Sequence, residues 1–414
     1  MGEILFLAHR IPYPPDKGDK IRSWNMLKWL TGRERVHLGA FVDDPADMAH
    51  EAFLRGICAS VNLIPVRAAA KPWRALKGFA TGQPLSVALL HDAAMTAWVR
   101  ATLAANPVDA LFAFSGQMAP YILPHTAGRR SVMDLVDLDS EKWAQYAAED
   151  RGPRGIVYAR EARRLLAFEA EVAAKVDATL FVSEDEAALF RARAEVAGEH
   201  VHALSNGVDF DYFSPDAEIA RAPIEGHDLA GPLIVFVGAM DYRPNIDAAR
   251  WFVAQVWPRV REARPEARFL VVGSKPGPET LALGTARGVT VTGRVVDVRP
   301  YIAAADVVVA PLRIARGIQN KVLEAMAMAR PVLATPQARE GIDAEPGRDL
   351  LIEADAPAFA TACLALLANP ARAAAIGHAA RARMEVAYTW DANLRLLGRL
   401  LLSDAGASAA REAA

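Results

Sequence analysis

Short, continuously apolar runs recur along this chain, and each is followed by a helix-like segment. In the first half they fall at residues 4–8, 36–42, 110–114, 131–136 and 178–182. In the second half they fall at 233–238, 269–273, 289–292, 306–310 and 331–334. A strand that is apolar on both faces must be covered on both faces, and parallel strands need crossover segments to join them. The pattern therefore predicts an α/β chain of Rossmann-like, doubly wound parallel sheets. Helical spacing at 21–30, and at 161–175 with Leu165, Leu166, Phe168 and Val172, supplies the covering layers. The 414 residues are enough for two such domains. Two of them face to face make a central cleft outside the carboxyl ends of their strands, where ligands bind in such sheets.

The pattern restarts once. The Ser-Asn-Gly-Val-Asp stretch at 205–209 and the polar residues up to Gly231 are rich in turn signals. The expected division is a first domain over 1–205, a linker over 206–231 and a second domain over 232–388. A C-terminal helix over 389–402 would pack back on the first domain, and an Ala-rich tail over 403–414 would be disordered.

Net charge is −2, which gives no pull toward nucleic acid. Cys58 and Cys363 have no metal or redox spacing, so a reducing compartment is the simplest reading. The N-terminus runs straight into a strand and does not read as a signal peptide. No apolar run reaches the roughly 20 residues needed to span a bilayer. A cytoplasmic location is expected.

The densest chemistry lies at 310–327. A strand is followed by a loop ending at Gly317, then by a helix carrying Lys321 and Glu324. A helix start offers free N–H groups and partial positive charge, which suit a phosphate. Lys321 adds a full charge one turn in. Glu324 shares its face and is placed to accept hydrogen bonds from sugar hydroxyls. The segment reads as a cradle for a diphosphate and its ribose. The plainer reading is a solvated helix-start glutamate in an i,i+3 pair worth roughly a few tenths of a kcal/mol.

Five features, taken in order, resemble the GT-B glycosyltransferases of the family 4 type, and together they span nearly the whole chain. They are the Pro-rich loop with Gly18; Phe-Val-Ser-Glu at 181–184; 205–209 with Phe-Ser-Pro at 213–215; Val-Phe-Val-Gly at 235–238 with Pro244 and Asn245; and 317–324. The stretches 134–140, 317–321 and 331–335 are also similar to sugar transferases of bacterial exopolysaccharide clusters. The resemblance implies a retaining enzyme with no cofactor. It would move a sugar from a nucleoside-diphosphate donor to a hydroxyl of a surface polysaccharide or lipid-linked glycan precursor. Peripheral contact with the cytoplasmic face of the inner membrane goes with such an acceptor.

By the same resemblance, the donor contacts are Gly18, Gly238, Arg243, Arg294, Arg316, Gly317, Ile318, Gln319, Lys321 and Glu324. The catalytic residues are Asp137, Asp139 and Lys321. Glu324 would take the ribose hydroxyls, and Lys321 would neutralise the departing diphosphate. Arg316 stands where the family pattern has a glutamate. A guanidinium cannot accept a hydrogen bond. Either the donor differs, or Arg316 grips the diphosphate, or the backbone of 317–319 holds the sugar; otherwise it is a surface arginine. Many relatives have a histidine near position 137, so Asp137 inherits the task of orienting or deprotonating the reacting hydroxyl. The alternative is that Asp137 or Ser140 caps the next helix. Gly18 lets backbone approach a ligand closely, or is an ordinary turn glycine, and Asp19 replaces a second glycine. Lys17, Lys20 and Arg22 would face the diphosphate, an anionic acceptor or a membrane.

No metal is expected, because the nine histidines are scattered and the Asp209/Asp211 pair reads as turn chemistry. Trp73, Trp98 and Trp143, with Lys71, Arg74 and Lys77, either touch a membrane or lipid acceptor or are buried aromatics among solvated charges. Two competing classes remain: a nucleotide-sugar epimerase of the same shape, and a non-catalytic nucleotide-sugar-binding protein. A dinucleotide oxidoreductase is disfavoured, since no Gly-x-Gly-x-x-Gly follows a strand.

Overall fold

The computed structural model describes residues 2–66, 71–150, 152–196, 198–221, 224, 230–315 and 317–402. The chain forms two compact units, Met1–Ser205 with the chain from Asp391, and Asn206–Trp390.

The first unit holds a seven-stranded sheet of order β3-β2-β1-β4-β5-β6-β7. Its strands are β1 (Glu3–Ala8), β2 (Arg35–Val42), β3 (Ser60–Pro65), β4 (Ala110–Phe114), β5 (Arg130–Val136), β6 (Ala178–Phe181) and β7 (Val201–Ala203). All neighbours run parallel. Helices α1 (Gly18–Thr31), α2 (Lys71–Thr81), α3 (Asp139–Glu149), α4 (Pro153–Ala173) and α5 (Glu184–Ala194) belong to this unit. β1 is buried along its whole length, as a strand apolar on both faces requires. Leu5, Leu7, Phe41, Leu111, Met133 and Phe181 meet in the core. A Cβ on Gly39 would come within 2.6 Å of Trp98, so this indole packs, partly buried, against the core. Trp143 packs on Tyr146 and Tyr158.

The cations that follow the Pro-rich loop are held by protein groups, which corrects the expectation that they face a ligand. Arg22 is fully buried and grips Asp134 through Nε (2.8 Å) and Nη2 (3.2 Å), while Nη1 donates to the Leu204 carbonyl at 2.7 Å. Lys20, also buried, pairs with Asp47 at 2.8 Å and Asp16 at 3.2 Å. Lys17 lies 3.8 Å from Asp43. A buried charge must be paired to persist, and the buried Lys20 and Arg22 both meet that requirement.

Helix α10 (Trp390–Leu401) packs on α1. Trp29 Nε1 donates to Asp391 at 3.0 Å, and a Cβ on Gly398 would meet Trp29 at 2.6 Å. Residues 403–414, expected to be disordered, lie outside the described residues.

The second unit holds a six-stranded parallel sheet of order β10-β9-β8-β11-β12-β13. Its strands are β8 (Leu233–Val237), β9 (Arg268–Val272), β10 (Val289–Gly293), β11 (Val307–Ala310), β12 (Val332–Ala334) and β13 (Leu351–Ile352). Helices α6 (Arg243–Trp251), α7 (Asn320–Ala327), α8 (Ala356–Ala368) and α9 (Pro370–Ala387) belong here. Residues 206–215 are tied to this unit by the Val208–Thr389 bridge and by Arg381, which donates to the Phe213 carbonyl at 3.0 Å. Strands β3, β7 and β13 escape the apolar pattern because β3 is half-exposed and β7 and β13 have three and two residues.

Asp134→Ala should leave the Arg22 guanidinium buried without its partner and cost about 3–5 kcal/mol. Urea unfolding measures this. A loss below about 1 kcal/mol would show that the pair does not anchor α1 to β5.

Candidate functional site

In a doubly wound sheet the ligand position is the switch point, where strand order reverses. In the second unit that point lies between β8 and β11. The loops leaving these two strands carry most of the residues expected to hold the donor.

β8 ends at Gly238, where a Cβ would sit 2.7 Å from Asn245 Nδ2 and is therefore excluded. Asn245 does not cap α6, whose N-cap residue is Tyr242. Its Nδ2 donates to the Ala239 carbonyl at 2.9 Å, and its Oδ1 accepts from Lys321 Nζ at 2.6 Å. Asn245 thus ties the β8 loop to α7. Lys321 also lies 5.5 Å above the Phe236 ring. After β11 the loop is braced by Arg313, whose Nε donates to Asp247 at 3.0 Å. Gly317 has φ +62, a left-handed conformation open to glycine at no steric cost. Ile318 is buried, and Gln319 Nε2 donates to the Gly317 carbonyl at 3.2 Å. α7 begins after Gln319 with no side-chain cap on its first N–H groups. Asn320 accepts from Asn206 at 2.8 Å.

Lys321 and Glu324 are half-buried. Burial pushes the Lys321 ammonium down to about 8, against the pull of Glu324. Burial likewise raises the Glu324 carboxyl to about 7, with Lys321 opposing. Glu324 is therefore not a solvated helix-start glutamate. Its charge also helps raise the Tyr212 phenol, whose main cause is burial. The guanidinium of Arg299 lies 3.6 Å over the Tyr212 ring and donates to Asp297 at 2.9 Å.

The remaining donor candidates scatter. Arg243 is the exposed first residue of α6. Arg294 is exposed after the edge strand β10, three strands and about 14 Å from β11 at sheet spacing. Arg316 lies outside the described residues. A cavity of about 410 Å³ lined by Arg261, Glu266, Arg268 and Arg287 opens at the amino ends of β9 and β10, the wrong end of the sheet for a doubly wound site.

In the first unit the switch point lies between β1 and β4. Gly18 is the exposed first residue of α1 rather than a loop glycine. Pattern reading missed His9 and Arg10, which leave β1 at the switch point. His9 stacks on Phe114 at 5.8 Å and reaches Asp19 at 3.2 Å, and Arg10 also binds Asp19. Burial opposes ionisation of Asp19, but His9 and Arg10 hold its carboxyl well below the ordinary range. The signal was available, because His9 directly follows a predicted strand end.

β5 ends in two consecutive tight turns. Asp137 N donates to the Leu135 carbonyl at 3.0 Å across Val136, which has φ +69. Asp139 N then donates to the Asp137 carbonyl at 3.0 Å across Leu138. The first is the rare, strained form of γ-turn, here centred on a β-branched residue. Glu186 helps hold it by accepting from Leu138 N at 2.7 Å. Neither Asp137 nor Ser140 caps α3: the N-cap position is Leu138, and the Ser140 hydroxyl donates to Glu169 at 2.6 Å. Asp137 is half-buried, and burial first, then the charges of Glu186 and Asp139, raise its carboxyl to about 7. A carboxylate tuned to that range suits general-base work. Asp134, by contrast, is occupied by Arg22.

Two parallel Rossmann-like sheets, one in each unit, define a GT-B fold. Residues 231–369, within the second unit, match the family described as Glycosyl transferases group 1. A GDP-mannose-dependent monoacylated alpha-(1-6)-phosphatidylinositol monomannoside mannosyltransferase of Corynebacterium glutamicum is 27% identical over 250 residues, covering 56% of this chain and 64% of that relative. The chain thus matches just under two thirds of that relative's length. Among solved structures, sucrose-phosphate synthase of Thermosynechococcus elongatus superimposes with TM-score 0.70 at 20% identity, over 97% of this chain and 98% of that one. Anabaena Alr3699/HepE in complex with UDP-glucose gives TM-score 0.67 at 16% identity, over 96% and 99%.

Glu169 is buried, and burial, more than any neighbouring charge, raises its carboxyl to about 8. Between an unfolded value of about 4.3 and that level the native state binds the extra proton. Its contribution to stability is therefore complete below about pH 4.3 and is lost as pH rises through 8. Glu169→Gln should raise the melting temperature relative to the parent by a few degrees at pH 8 and less at pH 5. A difference that does not change with pH would refute the assignment.

Proposed function

We propose that this chain is a retaining glycosyltransferase that moves a sugar from a nucleoside-diphosphate donor to a hydroxyl of a lipid-linked or surface glycan precursor. The observation that carries the reading is the Lys321–Glu324 pair on the uncapped start of α7, locked to the β8 loop through Asn245. A helix start with no side-chain cap and an ammonium one turn in suit a diphosphate. A carboxyl poised near neutrality suits ribose hydroxyls. The group 1 match over 231–369 and the UDP-glucose bound by Anabaena HepE support a nucleotide-sugar donor. The Corynebacterium relative, named for a phosphatidylinositol mannoside, supports a lipid-linked acceptor at a membrane surface.

In this reading the donor diphosphate is held by α7 and Lys321, without a requirement for metal. As the sugar–phosphate bond breaks, the leaving oxygen gains charge that Lys321 stabilises. Asp137 takes the acceptor proton, its strained turn keeping the carboxyl in one orientation. Asp139 keeps that carboxyl basic through its negative charge. The reaction would take place on the cytoplasmic side of the membrane.

Thermal-shift titration with UDP, GDP and their sugars tests the site. A true donor at 100 times its Kd should stabilise by about 2.7 kcal/mol. Glu324→Ala and Lys321→Ala should each abolish that shift and leave the unliganded melting temperature nearly unchanged. Undiminished shifts in both variants overturn the assignment, and conversion of donor alone to an epimer overturns the transfer reading.

Charge at Lys321 gives a second test. With its ammonium titrating near 8, nucleotide affinity should fall about tenfold between pH 7 and pH 9. Lys321→Arg, always charged, should flatten that profile. An equal fall in the arginine variant would assign the dependence to another group.

A further inference from the structure

The first unit carries an apolar stripe that is exposed at its surface among the described residues. Trp73, Leu76 and Phe79, spaced three apart on α2, are 76%, 60% and 48% exposed. Ile156 and Val157, in the first turn of α4, are 75% and 36% exposed. Arg160 joins the two helices: its guanidinium lies 4.4 Å over the Phe79 ring and donates to the Gly78 carbonyl at 3.2 Å. A single exposed leucine means nothing, but a contiguous patch of large side chains marks an interaction surface. Of the three tryptophans singled out from the sequence, only Trp73 is exposed.

The surroundings say what kind of surface meets this stripe. On α4, positions 156, 157, 160, 163 and 164 share one helical face, and Arg163 and Arg164 on it are exposed. Arg164 stands beside Gly82, just past the end of α2. Between Glu51 and Asp92 the chain has no Asp or Glu, while it has Arg55, Arg67, Lys71, Arg74 and Lys77. Arg74 is engaged by Asp92 at 2.8 Å, whereas Arg163 and Arg164 are exposed beside the stripe. Aromatic and aliphatic side chains rimmed by cations, with no carboxylate on α2, match an interfacial helix lying in the headgroup layer of an anionic bilayer. Among the described residues no single helix is long and apolar enough to cross a membrane. The bent pair α8–α9 passes by composition, but it buries Phe359, Cys363, Leu366, Ile376 and Met384.

We propose that the face formed by α2 and the first turns of α4 docks on an anionic phospholipid surface, with Trp73, Leu76 and Phe79 inserted and Arg163 and Arg164 on the headgroups. This deepens the lipid-linked acceptor reading above, but its test needs no sugar transfer. The full-length chain is floated with phosphatidylcholine vesicles, with and without phosphatidylglycerol. It should partition at least about tenfold more to the anionic vesicles, and high salt should weaken that binding. The triple variant Trp73→Ser, Leu76→Ser, Phe79→Ser should lose about tenfold, with unchanged circular dichroism. Arg163→Glu with Arg164→Glu should remove the preference for anionic vesicles while leaving the apolar stripe intact. Equal binding by parent and both variants, or no binding by the parent, overturns the proposal. A parent dimer that the triple variant abolishes, without vesicle binding, also overturns it by making a second copy the partner. Vesicle binding that fails while the nucleotide shift persists sinks this surface alone.

Discussion

The buried Arg22–Asp134 pair is the constraint on which the first unit depends. Arg22 sits one turn into α1, and Asp134 sits inside β5, two residues before the strained turn that presents Asp137. The third bond, to the Leu204 carbonyl, ties in the chain leaving β7. One guanidinium therefore sets the helix after β1, the end of β5 and the exit from the sheet in a single arrangement. A buried charge with three fixed acceptors tolerates little displacement, because any movement leaves a desolvated donor unmatched.

The second unit solves the corresponding problem with a neutral amide set against an ammonium. Asn245 donates to the β8 loop backbone and accepts from Lys321, so one amide fixes the spacing between the two loops at the switch point. Gly238 is required there because the amide lies against its Cα. The lysine keeps an ammonium that burial has made less comfortable, and a bound phosphate would restore it. Glu324 and Asp137, both pushed toward neutrality, show the same use of burial to poise a carboxyl for hydrogen bonding or proton transfer.

Much of this was legible before any coordinates. The α7 cradle could be read from order alone, since strand, glycine loop, lysine and glutamate lie within eighteen residues. The parallel sheets followed from runs that are apolar on both faces. Short or half-exposed strands such as β3, β7 and β13 were not legible, because their residues carry no continuous apolar signal. Local sequence misjudged the cations at 17, 20 and 22: a cluster of basic residues after a loop looks like an anion site until Asp43, Asp47 and Asp134 arrive from elsewhere in the chain. His9 carries no metal spacing, and its meaning comes from standing at a strand end beside Phe114.

The sequence by itself determined the doubly wound class, the strand–glycine–helix order that puts Lys321 and Glu324 on one helix and the absence of a long apolar span, since each depends on neighbours within one turn or one strand. Only the tertiary structure decided which charges remain available for chemistry. Whether Arg22, Lys20 or Asp134 is free, whether burial raises the Asp137 carboxyl, and whether Trp73 is more exposed than Trp98 all depend on groups tens or hundreds of residues away. Burial and pairing are properties of the folded surface, and no local pattern encodes them.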